Sequence, residues 1–192
     1  MFKYCCEINL DTIILEPLTK DNFYLVKGFC CENEVFDDFL LKEALFDNST
    51  KTYLILYENI LLGFFSLSAS GISIINDSHE NKDSNRFNIS AIEISHFALN
   101  KHFHHLYYDS QAKEENEKYF LSDICLEYIL IYIVENVTTI IGAKFIILYS
   151  VPKAESLYKR LDFKNFESFM IPNYKRYYDG CTAFFLKIEL PN

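Results

Sequence analysis

KFIILYSVPKAESLYKRLDF, residues Lys144–Phe163, is the stretch of sequence that decides the fold. It begins with a continuous apolar run, Lys144–Val151, which is typical of a strand buried on both faces of a sheet. Pro152 then stands where the first turn of a helix tolerates proline, so a short helix is predicted over Pro152–Leu161. A buried strand followed at once by a helix indicates a sheet that helices cover.

Apolar patterns upstream and downstream of this stretch supply the rest of the sheet. Branched and aromatic residues predict strands at Thr12–Leu18, Thr52–Tyr57, Ile60–Ser70, Asn88–Leu99, Lys164–Met170 and Ala183–Leu190. Helical spacing predicts helices at Asp21–Lys27 (capped by Asp21 or Thr19), Asn33–Phe46 and Phe120–Asn136. Glu58-Asn59 is predicted to be the turn of a hairpin.

The order of these elements predicts one α/β domain over residues 1–192. The step from Ala91–Leu99 through a helix to Lys144–Val151 is a β–α–β unit, which makes two strands parallel. The other neighbours read as antiparallel, so we expect a mixed α+β sheet flanked by helices.

Composition limits the classes of protein that fit. The chain has 192 residues, half of them hydrophobic, and a net charge of −9. This acidic balance argues against binding nucleic acid, although Lys153, Lys159, Arg160, Lys164, Lys175 and Arg176 crowd the C-terminal third. The first residues, MFKYCCEINLD, lack a long apolar core and a small-residue cleavage site, so we expect no signal peptide. The most apolar run, Ile124–Val134, is expected to be too short to cross a bilayer. We therefore expect a cytoplasmic protein that uses no membrane.

Metal binding has little support in the sequence. The six cysteines include two adjacent pairs and no Cys-x-x-C, and their spacings fit no zinc pattern. His102, His104 and His105 lie close together but have no acidic or cysteine partner at a recognised spacing. A solvated loop is the simpler interpretation, and no metal is predicted.

The motif in Lys144–Phe163, together with the element order, resembles the GNAT superfamily of N-acetyltransferases. In that family a buried strand precedes a helix with Ala-x-x-x-Tyr and then a Gly-Phe. Ala154 and Tyr158 have this spacing, and Leu161-Asp162-Phe163 replaces the usual Leu-Gly-Phe.

Three further segments extend the resemblance over nearly the whole chain. ILLGFFSLSAS, Ile60–Ser70, looks like the third strand of the family, and HFALN, His96–Asn100, looks like the end of its fourth. FCCENEVFDDFLLKEA, Phe29–Ala44, is similar to the helical region of a GNAT subgroup that includes toxins of toxin–antitoxin pairs.

The resemblance implies an acyl transfer from acetyl-CoA to an amine. It implies that Tyr158 is the general acid that protonates the departing thiolate, and that the backbone of Phe97, Ala98 and Leu99 orients the thioester. It also implies cofactor contacts in three places, at Lys118 with Tyr119, at Ser150 and at Ala154.

Glu93 and His96 are the two candidates for the base that takes the proton of the amine. Their separation of three residues places them on opposite faces of one strand, so only one of them can face a given cleft. An unperturbed histidine titrates near neutrality, whereas Glu93 would need burial to raise its pKa. A polar residue at a strand end is the plainer interpretation of each.

One segment departs from the family pattern. GNAT enzymes hold the cofactor pyrophosphate with a glycine-rich loop, whose amides and following helix start point at the anion. Here no glycine occurs between Gly71 and Gly142, and the stretch Asn100–Lys118 contains several carboxylates. Lys101, Lys113 and Lys118 could compensate.

Two interpretations therefore stay open. The first is an N-acyltransferase acting on a small-molecule or peptide amine, and the charge argument does not exclude a tRNA acceptor. The second is a catalytically degenerate GNAT-like module that acts in protein interaction or regulation. Homodimer formation is open under both.

Overall fold

The computed structural model describes residues 8–75, 86–107, 119–168, 170–172 and 180–188. The chain divides into two compact units. The first unit consists of Met1–Leu67 and Ser95–Ile129, and the second of Ser68–Ile94 and Leu130–Asn192. The organisation of residues 1–192 as one domain stays a prediction.

In the first unit, the strands at the start of the chain pair in antiparallel fashion. Strand β1 (Ile13–Pro17) pairs with β2 (Lys51–Tyr57), and β2 pairs with β3 (Ile60–Ile75). Glu58 and Asn59 join β2 to β3 with φ angles of +47° and +68°. Two positive φ angles are typical of a type I′ turn, whose twist matches that of the strands, so the predicted hairpin is confirmed.

Two helical segments were predicted between β1 and β2, and the structure confirms one of them. Asn33–Phe46 was predicted as helix, and α1 (Glu34–Asp38) continues as a π-helix over Phe39–Glu43. Its Phe39 and Leu40 are buried in the same core cluster as Leu54 and Phe64 from the strands. Burial of this apolar face holds the helix to the sheet.

The helix predicted over Asp21–Lys27 is wrong, because only a 3₁₀ turn forms there, at Phe23–Val26. Neither Asp21 nor Thr19 caps it. The side chain of Asn22 accepts from the Thr19 amide at 2.8 Å and donates to the Pro17 carbonyl at 2.9 Å. An amide side chain that binds nearby backbone offers the chain an alternative to a helix.

Helix α2 (Leu121–Tyr132) follows the central strand and continues as a π-helix over Ile133–Val137, as predicted for Phe120–Asn136. Cys125, Leu126 and Ile129 are fully buried. None of the helices in the described part of the chain is long and apolar enough to cross a membrane.

The second unit holds the predicted β–α–β pairing. Strand β4 (Arg86–Leu99) runs parallel to β5 (Phe145–Ser150), with Ala91–Glu93 opposite Phe145–Ile147. Helix α3 (Glu155–Arg160) follows β5 through a 3₁₀ turn at Pro152–Ala154, which confirms the predicted short helix.

The last strands close the sheet. The strand predicted over Lys164–Met170 is instead two short strands, β6 (Lys164–Asn165) and β7 (Met170–Pro172), because the Met170 amide turns back to the Glu167 carbonyl at 2.9 Å. Strand β8 (Thr182–Lys187) pairs antiparallel with both β5 and β6, and β7 pairs with β3. The strand order is β1-β2-β3-β4-β5-β8-β6. The mixed sheet with flanking helices is thus confirmed.

Candidate active site

Tyr158 lies on the buried face of α3 in the second unit, where it is only 7% exposed. Its ring contacts Phe163 and Phe184, with centroids 5.9 Å and 6.1 Å apart. Burial raises the pKa of the phenol above its usual value. The side chain therefore keeps its proton throughout the physiological range, which a general acid requires before it donates.

Glu93 is a buried carboxyl group on β4, in the same unit as Tyr158. It is 7% exposed, and Ser70 Oγ donates a hydrogen bond of 3.0 Å to Glu93 Oε2. Burial raises the pKa of Glu93, and the Ser70 hydrogen bond opposes that rise in part. Glu93 needs burial to act as a base at neutral pH, and its place on β4 supplies that burial.

Strands β4 and β5 stop pairing just after Glu93. Their parallel register ends at Glu93 and Ile147, whereas β5 continues to Ser150 and stays paired with β8 along its other edge. Among the residues that the structure describes, no strand pairs with β5 on the β4 side after Ile147. An extended ligand carrying amides can hydrogen-bond to such an edge.

Ser150 and Ala154, the two residues expected to contact the cofactor after β5, belong to one tight turn. Ser150 is 2% exposed, and its hydroxyl donates to the Val151 carbonyl at 2.9 Å. The Ala154 amide donates to the same carbonyl at 3.0 Å. Cofactor contact through either residue stays a prediction.

The end of β4, in the first unit, holds Phe97, Ala98 and Leu99. Nε2 of His104 lies 3.0 Å from the Leu99 carbonyl oxygen, and the Asn100 amide donates to the Leu62 carbonyl at 2.8 Å. A Cβ on Gly63 would collide with the Ala98 carbonyl oxygen and lie 2.7 Å from Leu99 Cδ2. Glycine at this position therefore lets β3 approach the backbone that is expected to orient the thioester.

His96 differs from the sequence expectation. It lies in the first unit against aromatic rings, stacked on Phe39 at 3.8 Å and edge-on to Phe36 at 5.2 Å. Its Nδ1 is buried and has no hydrogen-bond partner among the described residues. The expectation that His96 titrates near neutrality is wrong, because burial lowers its pKa to about 4 against a weaker opposing effect of Asp47.

Backbone amides at the start of α2 already donate hydrogen bonds to other groups of the protein. The carboxylate of Asp123 is fully buried and accepts from the Phe120 amide at 2.7 Å. The Leu121 amide donates to the Leu106 carbonyl at 2.9 Å. The Tyr119 phenol donates to Glu127, which together with burial raises its pKa, while Lys118 lies outside the described residues.

Sequence reasoning missed the supporting residues of this site. Ser70 is one of three serines that alternate along β3, with Ser66 and Ser68, and its hydrogen bond to Glu93 depends on the pairing of β3 with β4. His104 had been weighed for a metal, and its ring supports Leu99 instead. Within the described ranges, no cluster of three or more histidine, cysteine or acidic residues could hold a metal ion.

The second unit contains a surface cavity. It measures about 260 Å³ and is lined by eight residues. None of the predicted site residues is among them, so this cavity gives no support to the predicted site. The lining residues are Leu130, Ile131, Val134, Glu135, Ile146, Leu186, Lys187 and Ile188.

Sequence comparisons find no relatives. No protein-family model matches the chain. No curated protein matches it either. Similarity is found only when structures are compared.

Solved structures of bacterial toxins share the fold. A tyrosine-to-phenylalanine mutant of the AtaT toxin matches with a TM-score of 0.65 and 15% identity, over 97% of this chain and 93% of that one. AtaTR bound with acetyl-CoA matches with a TM-score of 0.62 and 16% identity, over 92% and 94%. AtaT complexed with acetyl-methionyl-tRNAfMet matches with a TM-score of 0.61 and 17% identity, over 91% and 94%. These likenesses confirm the predicted GNAT-like fold.

Proposed function

We propose that this chain, which has the fold of the GNAT N-acetyltransferases, is an N-acyltransferase that moves an acetyl group from acetyl-CoA to an amine. The observation that carries the proposal is the burial of Tyr158 on α3 with its proton retained. The proposal is supported by Glu93 in the same unit and by the solved structure of AtaTR with acetyl-CoA.

The proposed reaction needs one base and one acid. The amine attacks the thioester carbonyl, and its proton passes to Glu93 directly or through water. As the carbon–nitrogen bond forms and the carbon–sulfur bond breaks, the Tyr158 hydroxyl gives its proton to the departing sulfur. Solvent then returns a proton to Tyr158 and removes one from Glu93.

Glu93 fits the role of base better than His96. Burial raises the pKa of Glu93 above its usual value, which makes it a stronger proton acceptor. The same effect lowers the pKa of His96 to about 4, which makes it a poor proton acceptor. We assign His96 to the aromatic packing of α1.

For the acceptor, the distribution of charge favours an amine carried by a polyanion. Residues 1–67 contain five lysines and no arginine against eleven carboxylates, whereas residues 144–187 contain eight basic residues against four. Lys153, Arg160 and Lys164 are exposed on and beside α3, the helix of Tyr158. The net charge of −9 for the whole chain therefore does not describe residues 144–187, where basic residues outnumber acidic ones.

We infer that the acceptor is the amino group of an aminoacyl-tRNA. AtaT, one of the structural neighbours, has been solved with acetyl-methionyl-tRNAfMet. The alternative is the small-molecule or peptide amine expected from the sequence, which needs no basic surface. Homodimer formation stays a prediction.

A second candidate function is the degenerate module. The observation that favours it is the closed start of α2, where Asp123 accepts from the Phe120 amide. A protein that no longer binds an acyl donor needs no free backbone amides at the start of α2. The two functions differ in a simple respect, since only an enzyme releases a thiol from acetyl-CoA.

The test incubates the full chain with acetyl-CoA and, separately, charged tRNA, polyamines and a peptide. Thiol release and the mass of each acceptor are measured. We expect acetylated aminoacyl-tRNA, and less of it with Tyr158→Phe than with Tyr24→Phe, an exposed control. Acetylation of a polyamine or peptide alone would contradict the acceptor, and no thiol release with any acceptor would contradict the enzyme.

A further inference from the structure

We propose that Glu155 and Thr182 are positioning residues, whose hydrogen bond holds α3 against β8 so that the Tyr158 hydroxyl stays in place to protonate the departing sulfur. The inference rests on the proposed function, in which Tyr158 is the acid. Every residue that it uses lies in the second unit. It is carried by the shortness of α3, by the contacts of the Glu155 carboxylate, and by ring packing one turn further along the helix.

Helix α3 is too short to be stable by itself. It has six residues, Glu155–Arg160, and its N-cap residue is Ala154, whose methyl side chain has no group to accept a hydrogen bond from the first turn. Isolated helices of this length are unstable in water, because forming the first turn costs more than a few hydrogen bonds return. Contacts with the rest of the unit must therefore fix where the side chains of α3 lie.

The carboxylate of Glu155 supplies such a contact at the first residue of α3. Thr182, the first residue of β8, donates from Oγ1 to Glu155 Oε1 at 2.6 Å. Lys159 Nζ donates to Glu155 Oε2 at 2.7 Å and lies 5.8 Å from the centroid of the Phe184 ring. The hydrogen bonds from Lys159 and Thr182 lower the pKa of Glu155, so the carboxylate is charged at neutral pH. Hydrogen bonds to a charged group are the stronger kind, and this one joins a helix to a strand.

The packing of Tyr158 is the next contact along the same helix and strand. Tyr158 follows Glu155 by three residues, which places both side chains on one face of α3. Phe184 follows Thr182 by two residues, which places both on one face of β8. The rings of Tyr158 and Phe184 have centroids 6.1 Å apart. The Glu155–Thr182 hydrogen bond therefore sets the position along β8 at which Tyr158 meets Phe184.

Ring packing alone does not fix the Tyr158 hydroxyl. Contacts with Phe163 and Phe184 are apolar, and apolar burial has no preferred direction, so the ring can shift while staying buried. A hydrogen bond has a narrow range of length and angle. A general acid must lie within hydrogen-bond reach of the atom that it protonates, and a misplacement of about 1 Å can cost about a hundredfold in rate. The Glu155–Thr182 hydrogen bond supplies the precision that this proton transfer requires.

The test measures kcat for thiol release from acetyl-CoA in four full-length proteins: the unaltered chain, Thr182→Val, Tyr158→Phe and the double variant. We expect Thr182→Val to lower kcat by about tenfold in the unaltered chain, since the hydroxyl of Tyr158 is no longer held in place. In the Tyr158→Phe background the same change should alter kcat by less than about twofold, because no hydroxyl is left to position. A merely structural role of Thr182 lowers kcat by the same factor in both backgrounds and would overturn the inference. Thr182→Ser keeps the donor and should keep kcat.

Thr139→Val is the matched control, because Thr139 is exposed in the same unit and its hydroxyl donates to the Asn136 carbonyl. It should leave kcat as it is. If a thermal melt shows that Thr182→Val does not fold, Glu155→Ala takes its place in the same comparison of four proteins, with the same expected result. Thiol release by the unaltered chain with kcat unchanged in Thr182→Val would overturn the inference and leave the proposed function standing. If the unaltered chain releases no thiol with any acceptor, the proposed function fails and this inference with it.

Discussion

The Ser70 hydroxyl donates a hydrogen bond of 3.0 Å to Oε2 of Glu93 and joins two strands through a buried carboxyl group. Burial and this hydrogen bond change the pKa of Glu93 in opposite directions. Burial raises the pKa of Glu93, whereas the hydrogen bond from Ser70 favours the carboxylate and lowers it. Ser70 thus tunes the base that the proposed reaction needs.

The Ser70–Glu93 pair predicts a shift in the pH dependence of turnover. The rate should fall on the acid side as Glu93 becomes protonated. In Ser70→Ala the carboxylate loses its donor, so the pKa of Glu93 rises further and the acid limb moves to higher pH. The pH profile of kcat/KM measures this. Ser73→Ala is the matched control, because Ser73 Oγ donates to Asn88 instead. An acid limb that stays in place in Ser70→Ala would remove Glu93 from the mechanism.

Tyr158→Phe removes the proposed acid and keeps the ring. The contacts with Phe163 and Phe184 are those of the ring, so the fold and donor binding should be retained. We expect kcat to drop by about a hundredfold or more, the usual range for loss of a general acid. Steady-state kinetics and a thermal melt measure the two effects. Turnover equal to that of the unaltered chain would show that Tyr158 only packs.

Gly63→Ala should displace the end of β4. The new methyl group would overlap the Ala98 carbonyl oxygen, and backbone cannot move aside cheaply. We expect the free energy of unfolding to fall by about 1–3 kcal/mol, the range for overpacking a core. Urea unfolding measures it. Gly142→Ala is the control, since nothing lies within 4 Å of that position. Equal stability of the two variants would contradict the close approach at Gly63.

Burial of His96 should make the free energy of unfolding depend on pH in the acid range. Its pKa falls from 6.5 to about 4 on folding, so the unfolded chain takes up a proton between these values and the folded chain does not. Stability is therefore full above the unfolded pKa and is lost as pH falls toward 4, by roughly 3 kcal/mol. His96→Phe should lose less stability on acidification, as urea unfolding at two pH values would show. His102→Gln, at an exposed position, should lose as much stability on acidification as the unaltered chain. If His96→Phe also loses as much as the unaltered chain, His96 is not the source of the pH dependence.

The sequence predicted the elements whose patterns are local. The continuous apolar run before Pro152 indicated β5, and the positive φ angles at Glu58 and Asn59 match the turn that the pattern placed there. The failures also have local causes. Asn22 binds the backbone of Thr19 and Pro17, and this competes with the helix that the apolar spacing favoured.

The properties of the candidate site could be predicted only in part. The spacing of Ala154 and Tyr158 indicated where the proposed acid lies, because that spacing falls within one segment. The pKa of His96 could not be foreseen, since Phe36 and Phe39 lie about sixty residues away in sequence. Ser70 and Glu93 meet only after β3 pairs with β4, so their hydrogen bond had no signal in the sequence beyond a row of alternating serines.

Binding of acetyl-CoA to the full chain, measured by titration calorimetry, tests the central claim most directly. The account predicts saturable binding in the micromolar range, retained by Tyr158→Phe because that substitution removes only the proton to be donated. An absence of binding at millimolar acetyl-CoA would contradict an acyltransferase and would favour the module that has lost its donor.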